Sequence, residues 1–148
     1  MPFVVEFLNM KTHTTNYTNT LIEIAEDSPV SASVIPVVKK DKKTIANYQY
    51  EKLSKHPLKY TSDELLFDIF AERNNISPSE LEEEKQNFFS KGQACLRTSP
   101  LAKKNGFGIF HNQDSKVQLI PAESEEYQKL LKDDSVKKIR AMKSKKNK

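Results

Sequence analysis

Cysteine, glycine and unbroken apolar sequence are all scarce in this chain of 148 residues. The single cysteine, Cys95, excludes an intramolecular disulfide framework and any multi-cysteine zinc or iron–sulfur site, and a lone thiol suits a reducing compartment. The apolar opening, Pro2 to Leu8, is interrupted by Glu6, follows no basic residue and is too short for a signal-peptide core or a membrane span. A cytoplasmic protein with no membrane partner is expected. His13, His56 and His111 lie far apart without metal-ligand spacing, so neither a metal nor a cofactor is expected.

What is present suits one folded domain. Hydrophobic residues make up 36% of the chain, and eight Phe with five Tyr supply large apolar area for a core. The net charge of +4 is unevenly placed: seven basic residues and no acid fall between Lys137 and Lys148. The remaining 17 basic residues face 20 acidic ones, so residues 1–136 carry a net −3. A nucleic-acid reader carries its positive patch on the fold, whereas here it lies at the chain end. The expected organisation is an extension over residues 1–10, with Met10 as a candidate start, one domain over 11–142, and a basic disordered tail over 143–148.

Periodicity and capping signals place the elements. Tyr17–Glu26 reads as a first strand, with Leu21, Ile22 and Ile24 as β-formers, ended by Asp27-Ser28-Pro29. Val30–Val38 is extended and apolar, and Pro36 confines it to an edge strand or an irregular segment. After the charged turn Lys39–Lys43, Thr44–Lys55 is expected to be helical, with Ile45, Tyr48, Gln49 and Leu53 near one face and Pro57 closing it. Thr61 and Glu64 form a capping box for a second helix, and Ser77-Pro78 with Glu80 a second box for a third, which Gly92 ends in a left-handed cap. Gly106–His111 and Lys116–Ile120 form a hairpin around Asn112–Ser115. Ser124 caps a last helix carrying Tyr127, Leu130 and Leu131, which Asp133–Ser135 interrupts and Val136 and Ile139 continue. This order predicts an α+β fold: a small antiparallel sheet of about three strands with about four helices packed on one side.

Candidate chemistry concentrates between Gly92 and Gly108, which holds all three glycines of the chain. An extended Gln93–Ser99 turns Gln93, Cys95, Arg97 and Ser99 to one face. An Arg beside a thiol favours the thiolate, and Arg97 with Lys103 and Lys104 suits a phosphate or carboxylate. The structural alternative is a buried, inert Cys95 with glycines that relieve crowding. His111, at a strand end beside a loop, is the histidine best placed for a catalytic role, and a Cys95–His111 pair is conceivable. The acids of the chain middle, Asp63, Glu64, Asp68, Glu72, Glu80 and Glu82–Glu84, are expected on solvent faces and in helix first turns, where macrodipole and solvation explain them.

Three segments carry a resemblance: His13–Tyr17 with Asn19-Thr20, Lys59–Phe67, and Phe88–Leu101. In these the chain resembles a domain-of-unknown-function family of small bacterial proteins, over about Lys11 to Met142 and through Glu123–Tyr127. The resemblance implies a start at Met10 and a complete single-domain protein, and it brings no catalytic residues. The family's hairpin entry, aromatic-Gly-Trp-Gly, is here Asn105-Gly106-Phe107-Gly108, which weakens any stacking role at these positions.

The leading expectation is a non-catalytic binding or interaction domain with an anionic ligand bound at Gln93, Cys95, Arg97, Ser99, Lys103 and Lys104. The first alternative is a thiol-dependent enzyme or redox-sensitive protein using Cys95 and His111. The second is nucleic-acid association through the basic tail.

Overall fold

Threonine hydroxyls start the two longest helices. Thr44 caps α1 (Ile45–Lys55) in a box closed by Asn47, and Thr61 caps α2 (Ser62–Arg73) in a box closed by Glu64. The structure, a computed structural model, describes residues 13–144. The expected extension over residues 1–10 and residues 145–148 of the expected tail lie outside the described residues. Before α1, strand β1 (Thr20–Glu23) is shorter than the expected Tyr17–Glu26. After α2 come α3 (Leu81–Ser90), a one-turn α4 (Pro100–Lys103), strands β2 (Phe107–His111) and β3 (Val117–Pro121), α5 (Glu125–Lys132) and strand β4 (Lys137–Arg140).

The fold is α+β, with a mixed sheet ordered β3-β2-β1-β4. The hairpin β2–β3 forms as expected, with Phe107 opposite Pro121 and His111 opposite Val117. The fourth strand corrects the sequence reading twice. Val30–Val38 is irregular: Val34 is held by two hydrogen bonds to Asn105, and Val34, Ile35, Val37 and Val38 are exposed. Lys137–Arg140, expected as helix, instead pairs parallel to β1, so the sheet is not purely antiparallel. Its bonds to β1 outweigh the short helical pattern, and its lysines fall on an open sheet edge, where charge discourages edge-to-edge association.

Alternation along the strands divides the core between two faces. Ile22, Ile109 and Val117 pack with Leu53 of α1 and Leu65 and Ile69 of α2, whereas Leu21 and Ile120 pack on the opposite face with Tyr127 of α5 and Val136. Helices therefore cover both faces, not one. Gly108 makes room for this second layer: a Cβ there would lie 2.5 Å from Cε1 of Tyr127, whose hydroxyl accepts the Ile24 N–H. Gly106 has φ +76°, and a Cβ on it would lie 2.5 Å from the Ala32 carbonyl oxygen.

Two helix-end expectations fail for local reasons. Ser77 donates to the Glu80 carboxylate at 2.7 Å instead of capping a backbone N–H, and Pro78–Glu80 forms a 3-10 turn ahead of α3. At the other end Lys91 is extended, and Gly92, whose φ is not positive, lies beside the His13 ring.

Residues 13–17 form a strap across the start of α2. The Asp63 carboxylate accepts from the Thr14 hydroxyl, the Thr15 N–H and the Thr15 hydroxyl, each at 2.7 Å. The Thr15 hydroxyl also meets the fully buried Ser62 hydroxyl at 2.7 Å, and Asn16 accepts the Asp63 N–H. Thr15→Val leaves the Ser62 hydroxyl buried without a partner and is expected to cost about 1–3 kcal/mol. Urea denaturation checks this, and an unchanged midpoint would show that the strap contributes nothing to stability.

Candidate functional site

Residues of α1, α2 and α3 and of the connection from Gln93 to Pro100 line a cavity of about 260 Å³. Ile45, Leu66, Ile69, Phe70, Phe88 and Pro100 supply its apolar walls. Phe70 and Phe88 belong to a ring cluster with Phe67 and Phe89 that joins α2 to α3, the Phe70–Phe88 centroids standing 4.9 Å apart. The volume lies below the roughly 300–1,000 Å³ typical of drug-sized ligands and suits a smaller molecule.

The polar groups of the cavity are few and oriented. Gln49 of α1 is 3% exposed. The Ser99 hydroxyl accepts the Leu101 N–H as the cap of α4 and gives its own hydrogen to Gln49 Oε1 at 2.6 Å. With Oε1 so engaged, the Gln49 Nε2 hydrogens have no acceptor among the described residues, and, unlike the His111 nitrogens, that atom is not sealed from solvent. Gln93 gives its amide hydrogen to the Phe88 carbonyl at 2.7 Å, and Thr98 donates to the Cys95 carbonyl at 2.9 Å. Arg73, at the end of α2, lines the same cavity, is exposed and has no carboxylate partner among the described residues.

Cys95 stands half-buried in the cavity wall, its Sγ 3.2 Å from the Tyr17 hydroxyl oxygen. Burial first, and then the contact with Cys95, push the Tyr17 pKa up to about 12, so its hydroxyl stays protonated near neutral pH. Behind Tyr17 lies His111, fully buried with the two rings edge-on at 5.2 Å between centroids. Neither imidazole nitrogen has a hydrogen-bond partner among the described residues, and burial lowers its pKa to about 4, which keeps it neutral. Tyr17 thus separates Cys95 from His111, and the conceivable Cys95–His111 pair does not form.

The six residues expected to bind a ligand part company. Gln93, Cys95 and Ser99 line the cavity, while Arg97, Lys103 and Lys104 do not. The reason is local: Leu96–Thr98 is a 3-10 turn, so alternation fails after Cys95. Leu96 enters the core, and Arg97 turns toward β4, donating from Nε to the Arg140 carbonyl at 2.8 Å. The cation of the cavity is instead Arg73, which sequence reasoning missed. Gln49 was also missed, although a polar residue on the apolar face of α1 was a visible signal. Among the acids, Asp68 and Glu72 pair with Lys52, at 2.8 and 3.1 Å, while Asp63 departs from the expected solvent role by holding the strap. No helix among the described residues is long and apolar enough to cross a membrane.

The chain belongs to a family described as "Family of unknown function (DUF6157)", which it matches over residues 12–147. No curated protein and no solved structure matches it.

His111 makes stability depend on pH. Between its usual pKa of 6.5 and about 4, the unfolded imidazole takes up a proton that the folded one refuses. Stability from this residue is therefore complete above pH 6.5 and falls as pH drops toward about 4, by roughly 3 kcal/mol in all. His111→Leu is expected to remove this part of the acid-side loss while remaining at least as stable at neutral pH, because it also removes an unpaired buried polar ring. Denaturation midpoints measured across that pH range check it, and parallel curves for the two proteins would refute it.

Proposed function

We propose that this protein is a small-ligand-binding domain whose ligand is compact, apolar along its body and ended by a carboxylate or carbonyl oxygen. The observation that carries the reading is the Gln49 amide. Its oxygen is occupied by Ser99, so what it offers a ligand is an N–H donor that solvent reaches and no protein group among the described residues accepts. An apolar wall with one oriented donor discriminates well, since a ligand without an acceptor leaves that donor unpaired. Arg73 adds a positive charge suited to a carboxylate.

Binding is favoured over catalysis because the Ser99 proton is committed to Gln49 and His111 is screened from Cys95 by Tyr17. This keeps the anionic ligand anticipated from sequence but exchanges Arg97, Lys103 and Lys104 for Arg73 and Gln49. A bacterial, cytoplasmic setting belongs to the same reading, resting on the family resemblance and the lone thiol. Nucleic-acid association through the basic end is the weaker reading, since Lys137–Arg140 is a strand edge and Lys143 stands 3.4 Å from Glu26.

Thermal-shift and calorimetric titrations with hexanoate, benzoate and 1-hexanol test the reading. The two carboxylates are expected to bind and the alcohol to bind more weakly. Arg73→Ala and Gln49→Leu are each expected to weaken hexanoate about tenfold, equivalent to about 1.4 kcal/mol. Equal affinity in both variants, or no binding of either carboxylate, would count against it.

A further inference from the structure

The irregular stretch from Val30 to Val38 is tied to the fold at several points. Ser33 donates from its N–H and its hydroxyl to the Glu123 carboxylate, Asn105 holds both the N–H and the carbonyl of Val34, and the buried Asn47 amide donates to the Pro36 carbonyl at 3.2 Å. These bonds fix the backbone while Val34, Ile35, Val37 and Val38 stay in solvent, Ile35 57% and Val37 74% exposed. A single exposed apolar residue is ordinary, whereas four within five consecutive positions form a ridge. Lysines follow at once. Lys39, Lys40, Lys42 and Lys43 lie on an exposed turn closed by the Lys42 N–H on the Lys39 carbonyl, with Lys40 and Asp41 at φ 51° and 58°. Lys43 pairs with Glu51, but Lys39, Lys40 and Lys42 have no carboxylate partner among the described residues. Lys104, exposed next to the Asn105 anchor, adds a further cation. Against these stand Asp41 in the turn and Glu123, which Ser33 occupies.

We propose that residues 34–43 dock this protein peripherally on an anionic lipid surface, with the four apolar side chains entering the interface and the lysines meeting phosphate headgroups. The proposal is independent of the ligand cavity. The groups left free on the ridge select this partner. A protein partner adding a strand needs backbone donors and acceptors, but the Val34 N–H and the Val34 and Pro36 carbonyls are taken, and Pro36 has no N–H. A second copy of the chain brings lysine against lysine. What remains is apolar surface and positive charge, neither of them directional. Those are the two terms by which a protein holds a membrane surface without crossing it. The expectation of no membrane partner rested on the lack of a span, which a surface contact does not need. Because the backbone is fixed beforehand, little freedom is lost on docking.

The test sediments the full-length protein with vesicles of phosphatidylcholine alone and of phosphatidylcholine mixed with phosphatidylglycerol. Binding is expected to the mixed vesicles and to fall as salt is added. Lys39→Gln, Lys40→Gln and Lys42→Gln together are expected to weaken it about a hundredfold, from about fivefold for each charge. Ile35→Ser with Val37→Ser, at exposed positions that the fold does not need, is expected to weaken it about tenfold or more. The chain has no tryptophan, so Val37→Trp supplies a single reporter. Its emission is expected to shift to the blue on mixed vesicles, while that of Gln128→Trp, on α5, stays in place. Failure of the intact protein to bind mixed vesicles would overturn the proposal and leave the ridge to a protein partner. Binding that ignores the Ile35 and Val37 substitutions, with no shift at Val37→Trp, would also overturn it by placing the contact elsewhere, such as the basic chain end. A dimer in solution that those two substitutions dissolve would overturn it as well, assigning the ridge to a second copy.

Discussion

One carboxylate, that of Asp63, joins parts of the chain 48 residues apart, and the rest of the site is arranged by it. Its side chain holds the Thr14 and Thr15 hydroxyls and the Thr15 N–H, while the adjacent Ser62 hydroxyl is buried against Thr15. Hydrogen bonds to an ionised acceptor are among the stronger ones. Residues 14–16, which have little apolar surface of their own, are thereby fixed to the first turn of α2. Tyr17 follows directly and lands between the cavity wall at Cys95 and the sheet at His111.

This placement has consequences on both sides of the ring. Toward the sheet, Tyr17 covers an imidazole that finds no hydrogen-bond partner, so the protein retains a buried polar group at a cost in stability. Toward the helices, the phenol fixes the position of the sulfur and leaves the cavity open beside it. Two polar side chains with unmet hydrogen-bonding capacity, Gln49 and His111, differ in kind, since only the His111 nitrogens are sealed from solvent. His111 lies in the sheet layer with Ile109 and Val117, away from the cavity, and its effect is on acid stability. Gln49 lines the cavity, and its effect is on what the cavity accepts.

Signals confined to a few neighbouring residues were legible from sequence. The caps at Thr61 and Ser124 and the hairpin with its Asn112 turn all appear where their side chains demand them. Signals that depend on a distant partner were not. Val136 and Ile139 suit a helix as well as a strand at that length, and only pairing with β1 decides for β4. The stretch around Cys95 was identified as the place for a site, but its period was misjudged because a 3-10 turn leaves no mark as plain as a capping residue. Gln49 and Arg73 come from two helices that sequence order separates from that stretch, and no local pattern brings them to it. Each of the three main segments that carry the family resemblance supplies part of this region: Tyr17 from the first, Asp63 and Leu66 from the second, and Phe88 through Ser99 from the third.

The central claim is that the Gln49 side-chain amide is the polar anchor of a ligand cavity. The most direct measurement is a ¹⁵N–¹H spectrum of the glutamine side-chain amides during a hexanoate titration. The account predicts that the Gln49 resonances move progressively and saturate, while those of Gln128, exposed on α5, stay in place. Gln49 resonances that remain fixed while hexanoate binds elsewhere, or while nothing binds, would contradict it.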